Sequence, residues 1–223
     1  LGGDRLTVSG GADYRHKLAA NYVILSAIER RTKITSEADE LLPEGRKVRA
    51  NPKLLSTLTY LTEYPTAILG GFDESYLSLP DEVLETVMLV HQKYFAIEDE
   101  SGKLSNAFVA VVNLNGDPDG EIRRGNERVL RARFNDAQFF WDFDQKQLLA
   151  DRVEDLKAVT FQADLGSYFD KTERNRAAAK QLAETLGLDA ESTQAADRAT
   201  ELANCALTTE MVGEFPELQG QVG

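Results

Sequence analysis

Five arginines crowd one short stretch of this chain: Arg123, Arg124, Arg128, Arg131 and Arg133. A guanidinium presents a planar fork of donors that matches phosphate oxygens two at a time. Residues three or four apart share a helix face. A helix from about Arg123 to Phe143 would therefore align Arg124, Arg128 and Arg131, with Val129, Phe134 and Phe140 elsewhere around it. Such a stripe could meet a nucleic-acid backbone. It could equally pair with Glu121, Glu127 and Asp136, since arginine–carboxylate pairing is the commoner use of these residues. Farther along, Phe139, Phe140, Trp141 and Phe143 could stack on bases. No cation interrupts that run, so its expected role is in a core, locking the helix between two domains.

Other constellations carry less chemistry. His91 stands beside Lys93 and Tyr94 with no nucleophile and carboxylate in evident reach, and a structural place near a helix C-terminus is expected for it. Asp142 and Asp144, and Glu210, Glu214 and Glu217, lack the loop spacing of an EF-hand and read as caps or a solvated face. Neither Gly2-Gly3 nor Gly70-Gly71 is followed by the lysine of a phosphate-binding loop. No catalytic group, metal ligand or ATP site is therefore assigned to this chain.

Composition narrows the function classes. The 223 residues suffice for one large domain or two small ones, and 42% hydrophobic with 28% charged residues is ordinary for a globular protein. The net charge of −12 is opposite to that of a free-standing nucleic-acid binder and argues against tight, sequence-independent binding of DNA or RNA by this piece alone, though a local basic face could still touch phosphate; no DNA partner is expected. The single cysteine, Cys205, excludes an internal disulfide and suits a reducing compartment. No apolar run approaches the ~20 residues of a membrane-crossing helix, and the first ten residues do not read as a signal peptide. With no initiating methionine, the chain is expected to be an interior piece of something longer.

These residues must be positioned by two regions. A helix is expected from Asp13, as N-cap, to the Pro43-Glu44-Gly45 turn, burying Leu18, Tyr22, Leu25, Ile28 and Ile34. Asn51-Pro52 should open a second, with Leu54, Leu55, Leu58 and Leu61 inside. Thr66–Gly70 reads as a short buried strand. Ser78 to Glu82 should start a helix with Ser78 or a neighbour as cap and Val83, Leu84, Val87, Met88 and Val90 inward. Glu100-Ser101-Gly102 marks a hairpin whose second strand is buried on both faces. After Glu121 everything reads helical, punctuated by Gly166, Gly187 and Gly213, with a boundary expected between Gln145 and Asp151.

Three stretches are more idiosyncratic than such elements require: Thr62–Leu84 with His91–Phe95 behind it, Gly125–Lys146, and Thr208–Gly220, whose order of residues no core-packing argument demands. In this order they resemble the beta subunit of the bacterial heterotetrameric (alpha2beta2) glycyl-tRNA synthetase, from about Ala12 to the last residue. The resemblance implies an α+β chain: a mixed α/β module over residues 1–147, similar to the editing-type module of phenylalanyl-tRNA synthetase beta chains, then the truncated front of an all-helical HD-like domain over 148–223. It implies a component of a cytoplasmic glycine–tRNA ligase that does not itself hold the active site. The alpha subunit would use ATP with Mg to activate glycine, and the partners would be that alpha subunit, tRNA-Gly and a second beta subunit.

Carried over residue by residue, Arg124, Asn126, Glu127, Arg128, Arg131 and Arg133 match the GNERVLRAR motif, while Glu210, Glu214, Phe215, Glu217 and Gln219 match EMVGEFPELQG. These are the candidates for contact with tRNA or a partner subunit. Two departures stand out. The His-Asp doublet of HD hydrolases would fall near Cys205-Ala206, where neither residue occurs, and the synthetase pattern Lys-x-Asp before LTTEMV is here Asn204-Cys205-Ala206. Because the likeness stops inside a helical domain, the last helices are expected to pack poorly or to swap. A degenerate metal-dependent phosphohydrolase and a pure subunit-assembly module stay open as alternatives.

Overall fold

A computed structural model describes residues 6–222 of the chain. They form two compact units that divide between Asn135 and Asp136, with helix and strand mixed as expected of an α+β chain.

In the first unit, α1 (Gly11–Ala19) and α2 (Ala27–Leu41) replace the single helix expected from Asp13. Tyr22 sits in the left-handed region at φ 59°, and Ser26 caps α2 by accepting from the Glu29 N–H. Arg30 fixes the break by donating to the carbonyls of Ile24 and Thr59 at 2.6 and 2.8 Å. Asp13 lies inside the first turn of α1 rather than before it. The expected buried stripe splits accordingly: Leu18 and Ile34 are buried, whereas Tyr22, Leu25 and Ile28 are exposed.

The chain then turns at Gly45 (φ 75°) into the short strand β1 (Arg46–Val48). α3 (Pro52–Leu61) begins as expected, its Asn51 side chain accepting from the Leu54 N–H at 2.8 Å. Leu54 and Leu58 point inward, while Leu61 is exposed. β2 (Thr66–Gly71), β3 (Phe95–Asp99) and β4 (Leu104–Val112) complete an antiparallel sheet of order β1-β3-β4-β2. The β3–β4 hairpin turns where Gly102 takes φ 84°.

Side chains alternate across a strand, and the two faces of this sheet are filled differently. On one, Ala67, Phe95, Ile97 and Val109 pack with Ile34 and Ala38 of α2 and Leu54 and Leu58 of α3. On the other lies Phe108, stacked on Tyr94 at 4.6 Å between centroids. α4 (Asp81–Thr86) and the wide π turn that follows it over Val87–Gln92 bury Val83, Leu84, Val87 and Met88. Ser78 does not cap α4. It belongs to a preceding 3-10 turn capped by Asp73, and Val90 is exposed. His91 falls in the last turn of the π stretch, near a helix end as expected.

Arg49 ties α4 to the hairpin, bonding Glu98 at 2.6 Å, the Gly102 carbonyl at 2.6 Å, and Glu85. Burial works against its charge, but Glu85 and Glu98 outweigh that and raise its pKa.

The second unit takes the end of α5 (Glu121–Asp144) and continues through two 3-10 turns, Leu149–Arg152 and Glu154–Ala158. A small hairpin follows, β5 (Thr160–Gln162) with β6 (Gly166–Ser167), where an all-helical region was expected. Gly166, at φ 85°, opens β6 directly after the turn and is not a helix break. α6 (Tyr168–Leu186) opens on a reciprocal capping box between Ser167 and Asp170 and ends at Gly187 in the left-handed region. Asp189 caps α7 (Ala190–Leu202). Arg176 bridges these two helices, reaching Asp197 with two nitrogens at 2.9 and 2.8 Å and Glu201 at 3.3 Å.

The final turns do not pack poorly. Leu156, Cys205, Met211, Phe215 and Leu218 are at most 1% exposed.

Gly70 lies beneath Phe108, and a Cβ there would meet the ring at 2.4 Å. Overpacking of a fixed ring is costly, so Gly70→Ala should lose about 1–3 kcal/mol in urea unfolding. Because the two sites touch, Gly70→Ala with Phe108→Leu should cost less than the sum of the single variants.

Candidate nucleic-acid interface

α5 starts where its unpaired N–H groups find a carboxylate. Asp117 accepts from the N–H groups of Ile122 and Arg123 at 3.1 and 2.8 Å. The bonds from Arg123 first and Ile122 after it hold the Asp117 carboxyl below the usual range.

From there the helix lays one side on the first unit. Glu127 accepts from the Gly71 N–H at 3.1 Å. Leu130 and Phe134 are fully buried, and the Phe134 ring meets Phe72 edge-on at 4.9 Å and Tyr76 at 5.3 Å. The Tyr76 hydroxyl donates to Asn135 at 2.5 Å.

Arg124, Arg128 and Arg131 line one flank of the stripe formed by 127, 130 and 134, with Arg128 turned farthest from it, and all three are exposed. Arg124 bonds Glu121 at 2.6 Å across an exposed i,i+3 pair, an interaction worth little in water. Among the described residues Arg128 and Arg131 form no ion pair, although Arg131 is near enough to Asp73 to help lower its pKa, after the larger effect of bonds from Ser75. Glu127 is thus committed to the sheet edge and not to an arginine. Asn126 is half-buried, and Arg133, also half-buried, lies on the opposite side of the helix from Arg128.

The aromatic run belongs to the second unit, and the core role expected of it fails for two of its four members. Phe139 is 63% and Phe143 44% exposed; they stack at 6.3 Å, with the Lys146 ammonium 5.6 Å from the Phe143 ring.

The other motif, Thr208 to Gly220, is organised around a buried ion pair. Arg152 bonds Asp144 at 2.8 Å and donates to the Thr208 carbonyl at 2.8 Å, and both charged side chains are less than a tenth exposed. Asp144 also accepts from the N–H groups of Glu210 and Met211, at 3.1 and 2.8 Å. The Thr209 hydroxyl accepts from Val212, completing the cap of α8 (Glu210–Glu214). Phe215 is fully buried, whereas Glu210, Glu214, Glu217 and Gln219 are exposed. Asp144 and Arg152 escaped the sequence reading as partners, because nothing local links either to residue 210.

The family model for the glycyl-tRNA synthetase beta subunit matches residues 1–223. The chain belongs to that family. It is 46% identical over 219 residues to the glycine–tRNA ligase beta subunit of Acidobacterium capsulatum, covering 95% of this chain and 31% of the relative. Identity to the corresponding subunit of Desulforamulus reducens is 44% over 219 residues, 98% of this chain and 32% of the other. To that of Syntrophotalea carbinolica it is 41% over 221 residues, 99% and 32%. The chain thus spans about a third of the length of these relatives. Among the described residues no helix is long and apolar enough to cross a membrane, and no group of three or more His, Cys, Asp or Glu is placed to hold a metal ion.

Two predictions test this geometry. Removing Arg152 strands a buried carboxylate, so Arg152→Ala should lose about 3–5 kcal/mol in denaturant unfolding. Arg152→Lys should recover only part, since lysine lacks the fork that reaches both acceptors.

The Asp117 pKa is lowered in the folded protein, so its contribution is present above the unfolded carboxylate range, near ~3.9, and lost as pH falls through the folded value. The Ile122 and Arg123 amide signals should hold steady from neutral pH down to that range and move only below it. In Asp117→Asn, which keeps an acceptor but does not titrate, that acid step should vanish.

Proposed function

We propose that this chain is the part of a glycyl-tRNA synthetase beta subunit that helps hold tRNA-Gly while the catalytic alpha subunit attaches glycine to it. Family membership supports the role in glycine–tRNA ligation. The observation that carries the finer reading is the solvent side of α5, where Arg124, Arg128 and Arg131 stand at helical spacing and two of them have no ion pair among the described residues. Exposed guanidinium groups so arranged suit phosphates along one strand and would set the position of the RNA without reading its bases.

On this reading the active site, with its ATP and Mg, belongs to the alpha subunit, and the beta chain contributes by orienting the substrate in the cytoplasm. The exposed acids Glu210, Glu214 and Glu217, with Gln219, are the candidate contacts to the alpha subunit or a second beta subunit. The first unit is taken as the module similar to that of phenylalanyl-tRNA synthetase beta chains, and the helical second unit as the start of an HD-like domain.

The test is binding of tRNA-Gly across a salt series, with charging kinetics of the full-length subunit assembled with its alpha partner. In the Arg124→Ala/Arg128→Ala/Arg131→Ala variant, affinity at low salt should drop and the slope of log K against log salt should shrink by about one for each phosphate no longer neutralised. Charging should fall mainly through a raised KM for tRNA. Unchanged binding and charging would leave subunit assembly as the role of this face. Turnover of a phosphate ester by the chain alone, with bound metal, would favour the hydrolase reading instead.

A further inference from the structure

The sheet of the first unit ends in β2, and the hydrogen-bond parity of that strand is fixed. Phe72, one step beyond the strand, donates its N–H to the Asn106 carbonyl at 3.0 Å, continuing the β2–β4 register. Even-numbered residues of β2 therefore bond inward to β4, and Ala67, Leu69 and Gly71 turn their N–H and C=O groups to the free edge. Two of those three amides are occupied by carboxylates: Glu37 accepts from Ala67 at 3.0 Å and Glu127 from Gly71 at 3.1 Å. Leu69, between them, has no backbone partner on that side among the described residues.

A groove of about 560 Å³, within the range of ligand-sized clefts, runs along this part of the edge. Besides residues 66–69 of β2, its lining includes Leu41, the loop Gly116–Gly120 and Arg123.

We propose that the groove takes an extended, positively charged peptide segment of a partner protein, bridged to the backbone of Leu69. A donor and an acceptor side by side on one residue match another peptide residue, which offers the complementary pair and makes both bonds at once. A phosphate could use only the N–H. The surroundings select the sign of the partner: Glu37, Asp117, Asp119 and Glu127 border the edge against Arg123, Arg124 and Lys33, the last bonded to Glu37, which leaves the acids in excess by one. Nucleic acid is repelled there, and so is a second copy of a chain with net charge −12. Because the flanking amides are occupied, the bridge is one residue long. It suits a segment tethered by contacts elsewhere, and it keeps the edge from pairing promiscuously. Arg124 of the arginine face adjoins this groove at Gly120, but the bridge is made at Leu69 and its fate does not depend on the tRNA reading.

The test is a ¹⁵N titration of the 223-residue chain with two capped hexapeptides of alternating Thr and Val, one ending in Lys at both termini and the other in Glu. The lysine peptide should move the Leu69 amide saturably at millimolar concentration and slow its hydrogen exchange, with the glutamate peptide weaker by several-fold or silent. Leu69→Pro deletes the outward N–H and, with it, a side chain that packs on the core of the first unit. The Ile68 and Gly70 amides should stay paired with β4, and the shifts that the lysine peptide induces in them should disappear. Should that variant unfold, Asp119→Lys, on an exposed loop, should instead shift the preference toward the glutamate peptide. No saturable response at Leu69, an equal response to both peptides, or a response to single-stranded RNA and not to peptide would overturn the proposal.

Discussion

A buried or half-buried backbone N–H must find an acceptor, and this chain supplies carboxylates for the purpose more often than any other side chain. Asp117 closes the start of α5, Asp144 the start of α8, Asp170 and Asp189 the starts of α6 and α7, and Glu37 and Glu127 two outward amides of β2. Such charge-assisted bonds are stronger than neutral ones, and at helix starts the macrodipole adds to them. The acidic balance of the molecule is therefore in large part an architectural choice. A net charge of −12 says less about what the chain binds than it would if those acids lay idle on the surface.

The arginines divide in a complementary way. Arg30 holds the break between α1 and α2, Arg49 joins α4 to the β3–β4 hairpin, Arg152 anchors the Thr208 turn, and Arg176 links α6 to α7. Each is half-buried or buried and meets carbonyls or carboxylates from distant parts of the sequence. Against that pattern Arg124, Arg128 and Arg131 are exceptions, since the helix that carries them is already seated through Glu127, Leu130 and Phe134. Fold physics has no use for three guanidinium groups on its outer side, which is why a ligand is the more economical account of them.

What could be read from the sequence was local. The Asn51-Pro52 start, the Gly45 and Gly102 turns, the buried second strand of the hairpin and the long arginine helix all follow from spacing within a few residues, and all are present. Where the reading missed, a distant partner decided. A continuous helix over residues 13–43 has acceptable periodicity, but Arg30 gains three carbonyls, those of Ile24, Leu25 and Thr59, by breaking it. The β5–β6 hairpin pairs so few residues that no alternation could announce it. Phe139 and Phe143 were expected inside on hydrophobicity alone, and helical phase puts them on the exposed side.

The motif from Thr208 to Gly220 shows how far an idiosyncratic sequence can be a folding requirement. Thr208 offers its carbonyl to Arg152, and Thr209 caps α8. Met211, Val212, Phe215 and Leu218 fill the core, Pro216 starts a 3-10 turn, and Gly220 takes φ 86°. Nearly every position that looked too peculiar for packing is accounted for once Asp144 and Arg152 are in place. What packing leaves undetermined is the identity of the exposed residues Glu210 and Gln219, whose side chains fill no part of the core. If this turn carries information for a partner, the carboxylates hold it and the aromatic ring does not, because Phe215 has no surface left to offer.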